Sequence, residues 1–185
     1  MVNFAAQSFA VAGAIMLLLS GIRHVRDHRM LLASMLNHGV LPYRVARGVA
    51  RSLPSAQALC GGVSLVALST SAPEPARRWA AVACLGLYVA LVGYLASLLA
   101  TGKAVDCACF GRTESVTVFS LARVALPAAA FGWLAWQPHL MERDAVVLAA
   151  LTGAGLASLA VLGTRVTDRR KPAHRAEADL SVDER

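Results

Sequence analysis

The chain has 185 residues, 57% of them hydrophobic and 16% charged, with a formal charge of +7 and a mean hydropathy of +0.56. Soluble domains run at about 45–50% apolar and about 25% charged, so both departures point into lipid. The basic balance does not mark a nucleic-acid binder, because aromatics make up only 6% and the cations flank apolar stretches, as topology and anionic headgroups require.

Five stretches are uncharged or nearly so: residues 4–22, 54–72, 79–101, 118–136 and 145–164. Each has about the 20 residues a helix needs to cross roughly 30 Å of hydrocarbon. Helices are the natural form there, since they satisfy their own backbone polar groups. The first reads as a retained span. No Lys or Arg precedes it, it is long for a leader's apolar segment, and Gly21-Ile22-Arg23-His24 is no small-x-small cleavage site. The second is rich in Gly and Ser, and the fourth carries Arg123 and Pro127. Four spans plus one peripheral segment is the alternative.

Residues 23–53 hold six arginines. Met30, Leu31, Leu32, Met35 and Leu36 recur at helical spacing, and the Gly39–Pro42 region interrupts the run. The pattern predicts a helix lying in the interface, a turn, and a second short amphipathic piece through Val45, Val49 and Leu53. The tail from Arg165 is basic, then acidic, and too poor in apolar residues to fold by itself. The expected architecture is all-α. It is a polytopic transmembrane bundle of four to five helices in residues 1–164, with an interfacial amphipathic loop and a disordered tail over 165–185.

With five spans, the 23–53 segment, the 102–117 loop and the tail share one side and hold six, two and six Lys/Arg. Two lie at 73–78 and one at 137–144 on the other side. Cytoplasmic loops are the Lys/Arg-rich ones, which places the N-terminus outside and the 102–117 loop at the cytoplasmic face. If the second stretch does not span, that loop moves to the outer face, where disulfides persist more readily.

The 102–117 loop carries the chain's most reactive pattern, Asp106-Cys107-Ala108-Cys109-Phe110-Gly111-Arg112. Thiols at a membrane edge reach water as thiolate and can exchange with a partner. A disulfide between residues i and i+2 needs a sharp bend to bring the Cα atoms within roughly 4.4–6.8 Å, and such a ring is strained and oxidising. Free thiols, or half of a metal site, are the bland readings. A structural zinc site normally takes four protein ligands, and no second Cys/His pair is aimed here, so no metal is expected. Arg123, about one and a half turns into the fourth span, can reach the same face and favour a thiolate or a quinone oxygen, or simply anchor its helix.

The other polar features have structural readings. Cys60 and Cys84, counted in from opposite faces at 1.5 Å per residue, come out roughly 10 Å apart along the membrane normal and read as core packing. His24 and His28 can share a helix face, but among Arg23, Arg26 and Arg29 they read as interfacial side chains. Gln57 reads as a polar residue joining helices.

Four features in chain order resemble the MauE family of methylamine-utilisation membrane proteins, within the wider DoxX-like group. They are Gly21-Ile22-Arg23 closing the first span, Gly39-Val40-Leu41-Pro42 with Leu53-Pro54 downstream, Asp106-Cys107-Ala108-Cys109-Phe110-Gly111, and Arg123 early in the next span. The resemblance covers roughly residues 4–136. Gln57 stands where relatives often carry an acid, and Val124 where they often carry Asn. The resemblance implies a multi-pass protein of the cell membrane tied to maturation of methylamine dehydrogenase, whose disulfide-rich small subunit acts outside the cytoplasm. It also implies a thioredoxin-like partner and an outward cysteine loop.

The combined expectation is a membrane thiol–disulfide protein in contact with the lipid bilayer. Cys107 and Cys109 would cycle between dithiol and disulfide, one attacking a partner's disulfide and the other resolving the mixed disulfide, in support of disulfide formation; the expected partners are a thioredoxin-like protein or a disulfide-rich client protein. Arg123 would tune the pair, and a quinone is the candidate electron sink. The alternative is a non-enzymatic assembly factor or subunit whose cysteines brace a loop.

Overall fold

Gly39, at φ 67°, adopts the left-handed conformation that ends a helix and donates its N–H to the Leu36 carbonyl. Together with Pro42 it separates a short amphipathic helix from the long helix that follows. The computed structural model describes residues 2–70, 72–101, 106–107, 114–115, 117–137 and 152. The elements are α1 (Val2–Arg26), α2 (His28–His38), α3 (Tyr43–Ser69), α4 (Glu74–Ala100), β1 (Asp106–Cys107), β2 (Glu114–Ser115) and α5 (Val118–Trp136). The helices α1, α3, α4 and α5 are each long and apolar enough to cross a membrane. The expected fifth span and the tail lie outside the described residues, apart from helical Thr152, whose hydroxyl is 2.8 Å from that of Ser8.

The four long helices form an antiparallel ring in which α1 packs on α3 and α5, and α4 closes the ring between them. The register follows from the contacts. Gly61 of α3 lies against Ala14 and Leu18 of α1, and Gly21 of α1 against Pro54 and Ala58 of α3. On the other side, Tyr88 of α4 stacks on Phe131 of α5 at 5.9 Å and donates its hydroxyl to the Gly13 carbonyl at 2.8 Å. Leu17, Leu91, Leu95, Val124, Phe131 and Leu134 fill the centre. Leu59, Val63 and Val66 of α3 point outward, 67%, 56% and 61% exposed, a surface suited to lipid rather than water. Trp79 and Trp136 are exposed near the end that holds the α3–α4 turn, where an aromatic belt sits at a membrane interface.

One expectation needs correction. Residues 43–53 are not a separate amphipathic piece before the span; α3 runs unbroken from Tyr43 through Pro54 to Ser69. Pro54 removes one backbone donor, which spanning helices tolerate where neighbours pack closely. Here Pro54 is buried against Gly21, where the two backbones meet with no side chain between them. The 27 residues rise about 40 Å, about 10 Å more than the hydrocarbon layer, so Arg44 and Arg47 extend past it and Arg51 lies at its edge. On that extension Ala46 and Ala50 form a small second core with Leu31 and Met35 of α2. The amphipathic reading of α2 therefore holds, with Met30 and Leu36 left exposed on its other faces.

Candidate functional site

The antiparallel ring gathers the C-terminus of α1, α2, the start of α3, the end of α4 and the start of α5 at one end. Arg23, Arg26, Arg29, Arg44, Arg47 and Arg51 are all at that end. So are Cys107 and the helix bearing Arg123. In β1 and β2, Asp106 pairs with Ser115 and Cys107 with Glu114, an antiparallel ladder that closes off residues 108–113. Cys109 lies in that segment, outside the described residues. Thr117 then caps α5: its hydroxyl accepts from the Ser120 N–H while the Ser120 hydroxyl accepts from the Thr117 N–H. This fixes the start of α5 and sets half-buried Arg123 about 8 Å along the helix from it.

A column of polar side chains enters the bundle from this end. Ser20 and His24 on α1 and Gln57 on α3 are all buried, Gln57 completely. The Ser20 hydroxyl donates to Gln57 Oε1 at 3.5 Å, so Gln57 does join helices, over a long bond. Among the described residues no acceptor reaches Gln57 Nε2. His24 and His28 do not share a face: α1 ends at Arg26, Asp27 breaks the run, and His28 begins α2 exposed while His24 is buried.

Sequence reasoning missed a second polar group. His38, buried at the end of α2, places Nδ1 2.6 Å from the Tyr94 hydroxyl of α4 and Nε2 3.3 Å from Ser34 Oγ. Ser34 and His38 stand one helical turn apart, but nothing in the sequence links them to Tyr94, 56 positions away. This group pins α2 to the bundle. Replacing His38 by Ala should weaken the docking of α2 by about 0.5–1.5 kcal/mol, the net worth of a typical hydrogen bond, since the Tyr94 hydroxyl it leaves is half-buried and can turn to another partner. Hydrogen exchange would report it as faster exchange across 28–38 with the spans unchanged, and unaltered exchange there would remove the pinning role.

Cys60 and Cys84 are not offset along the membrane normal. Both are free thiols, and Cys84 Sγ lies 3.5 Å from the Cys60 carbonyl oxygen and 3.0 Å from Ser64 Oγ. The offset of roughly 10 Å came from starting α3 at residue 54 and α4 at residue 79. Counted from the α3–α4 turn instead, Cys60 is nine residues before Ser69 and Cys84 ten after Glu74, which is the same depth.

Antiparallel apolar helices with lipid-facing Leu and Val, tryptophans toward one end and most of the described arginines at the other define a multi-pass helical membrane protein. The chain belongs to the MauE family: the model of methylamine utilisation protein MauE matches residues 2–137, from α1 through α5 and across both cysteines of the hairpin segment. No curated protein and no solved structure matches the chain.

Proposed function

We propose that this chain is a cell-membrane thiol–disulfide protein that supports disulfide formation during maturation of methylamine dehydrogenase or a similar client, through Cys107 and Cys109. The reading rests on membership of a methylamine-utilisation family whose match spans a Cys-x-Cys segment at one end of a membrane bundle. In the working cycle the Cys107–Cys109 disulfide accepts attack by a client thiolate, and a second client thiolate displaces the mixed disulfide. The client is oxidised by two electrons and the pair becomes a dithiol. The disulfide of an oxidised thioredoxin-like partner, or a quinone, takes up two electrons and two protons, becoming a dithiol or a quinol, and returns the pair to the disulfide. Arg123, below the hairpin, favours thiolate over thiol when the pair opens. A carboxylate, Asp106, precedes Cys107 and opposes that effect.

Replacing both cysteines by Ser tests this reading. Mature, disulfide-complete methylamine dehydrogenase should fall at least tenfold while the membrane protein itself accumulates normally. Retention of most of the mature enzyme would favour the bracing role, for which the Cys107–Glu114 pairing at the base of the hairpin is the relevant feature. A membrane-impermeant maleimide applied to intact cells, with Cys60 and Cys84 replaced by Ala, reads the face. The arginine-rich end predicts labelling only after permeabilisation, a result that would put the pair at the cytoplasmic face and sink direct oxidation of an exported client. Labelling from outside after mild reduction would instead mark an exported disulfide.

A further inference from the structure

The paired thiols of Cys60 and Cys84 have no part in the hairpin chemistry, and their placement gives them chemistry of their own. Each lies about 14 Å from the α3–α4 turn, near the middle of a layer about 30 Å thick. Cys84 is fully buried, and its sulfur is held toward α3 by Ser64 Oγ at 3.0 Å and the Cys60 carbonyl oxygen at 3.5 Å. The helices can approach this closely because the seam is built of small side chains: the Ser64 hydroxyl reaches the Ala80 backbone carbonyl at 3.4 Å. Cys60 is half-buried, between the buried positions Gln57, Gly61 and Ser64 and the outward Leu59 and Val63. One thiol is thus locked in the seam, and the other borders the lipid-facing surface.

We propose that Cys60 and Cys84 form an intramembrane redox pair that closes to a disulfide between α3 and α4, with a lipid-soluble quinone as oxidant. Exchange with an aqueous partner is disfavoured at this depth, because it requires a thiolate and a lone charge in hydrocarbon is costly. A neutral route moves protons with electrons. The two S–H bonds break, one S–S bond forms, and two electrons and two protons leave the sulfurs. The quinone's two carbonyl oxygens receive them, and it departs as quinol. A quinone is the chemical class that takes two electrons and two protons while remaining soluble in the bilayer. The closed bond would tie α3 to α4 below the polar column that holds Gln57. The inference does not depend on the role of Cys107 and Cys109.

The test uses the full chain in native membranes with Cys107→Ala and Cys109→Ala, so that Cys60 and Cys84 are its remaining cysteines. Membranes are incubated with decylubiquinone or with its quinol and quenched in acid. Free thiols are blocked with N-ethylmaleimide in denaturant, then disulfides are reduced and tagged with a polyethylene glycol maleimide. Quinone should give two tags on most of the protein, and quinol should give none. Adding Cys60→Ala or Cys84→Ala should abolish the tags altogether. Full blocking of both thiols after quinone treatment would overturn the proposal. So would a single tag surviving in either one-cysteine variant, which would mean bonding between chains. Peptide mass spectrometry of the wild-type chain reads the same bond directly, as a Cys60 peptide joined to a Cys84 peptide, so the answer does not hang on the folding of any variant.

Discussion

Gly61→Ala should force α1 and α3 apart and destabilise the bundle by about 1–3 kcal/mol, with Gly21→Ala doing the same. A Cβ at Gly61 would stand 2.6 Å from both the Ala14 carbonyl oxygen and the Leu18 nitrogen, and one at Gly21 would stand 2.5 Å from the Ala58 nitrogen. These neighbours are backbone atoms, so no side-chain rotation relieves the contact and a whole helix has to move. In lipid the cost has little to offset it, because apolar surface exposed by separating helices meets lipid tails as apolar as the protein, and close packing is what holds the pair. Gly86 and Gly93 on α4 supply the control. A Cβ at either meets nothing within 4 Å, so alanine there should be neutral or gain up to about 1 kcal/mol of helix propensity. Unfolding by SDS or heat in micelles would separate the two classes. If Gly61→Ala unfolded at the same midpoint as Gly93→Ala, the close seam between α1 and α3 would not be the feature that holds these helices.

The sequence made the spans legible because lipid imposes a simple requirement: about 20 apolar residues in a row, each satisfying its own backbone. The break at Gly39–Pro42 was legible for a similar reason, since a left-handed glycine followed by proline ends a helix whatever surrounds it. Packing was less accessible. Pro54 looked like the start of a span, because its tolerance inside α3 depends on Gly21, 33 positions earlier in the chain, leaving room for its carbonyl. That misplaced boundary then propagated into the apparent separation of Cys60 from Cys84. Tyr94 was hidden by composition: in a stretch of Leu, Val and Ala, nothing marks one tyrosine as the partner of a histidine on another helix. Cys107 and Arg123 were visible as a motif and as a charge in a span. What they do lies in chemistry with a partner, which no helix periodicity encodes.

Gln57→Leu should stabilise the bundle by about 1–2 kcal/mol, an unusual direction for a fully buried position. The amide is completely enclosed, its Nε2 meets no acceptor among the described residues, and its Oε1 receives only the Ser20 hydroxyl at the outer limit of a hydrogen bond. An unmade hydrogen bond in a low-dielectric interior costs about 1–3 kcal/mol, whereas leucine fills a similar volume and asks for no partner. Ser20 is not stranded by the change, because it keeps a further interaction of its own. Gln57→Glu is the complementary variant: it keeps the shape but buries a carboxyl group, and should destabilise the protein at neutral pH. Micelle unfolding of both variants gives the sign of each, and lower stability of Gln57→Leu would show that the amide contributes a net favourable interaction. The maturation assay gives the meaning. A leucine variant that is more stable and still matures its client makes Gln57 a tolerated polar residue in the bundle. One that is more stable and inactive shows that the free N–H is kept, at a cost in stability, for a ligand or a client that enters from the arginine-rich end.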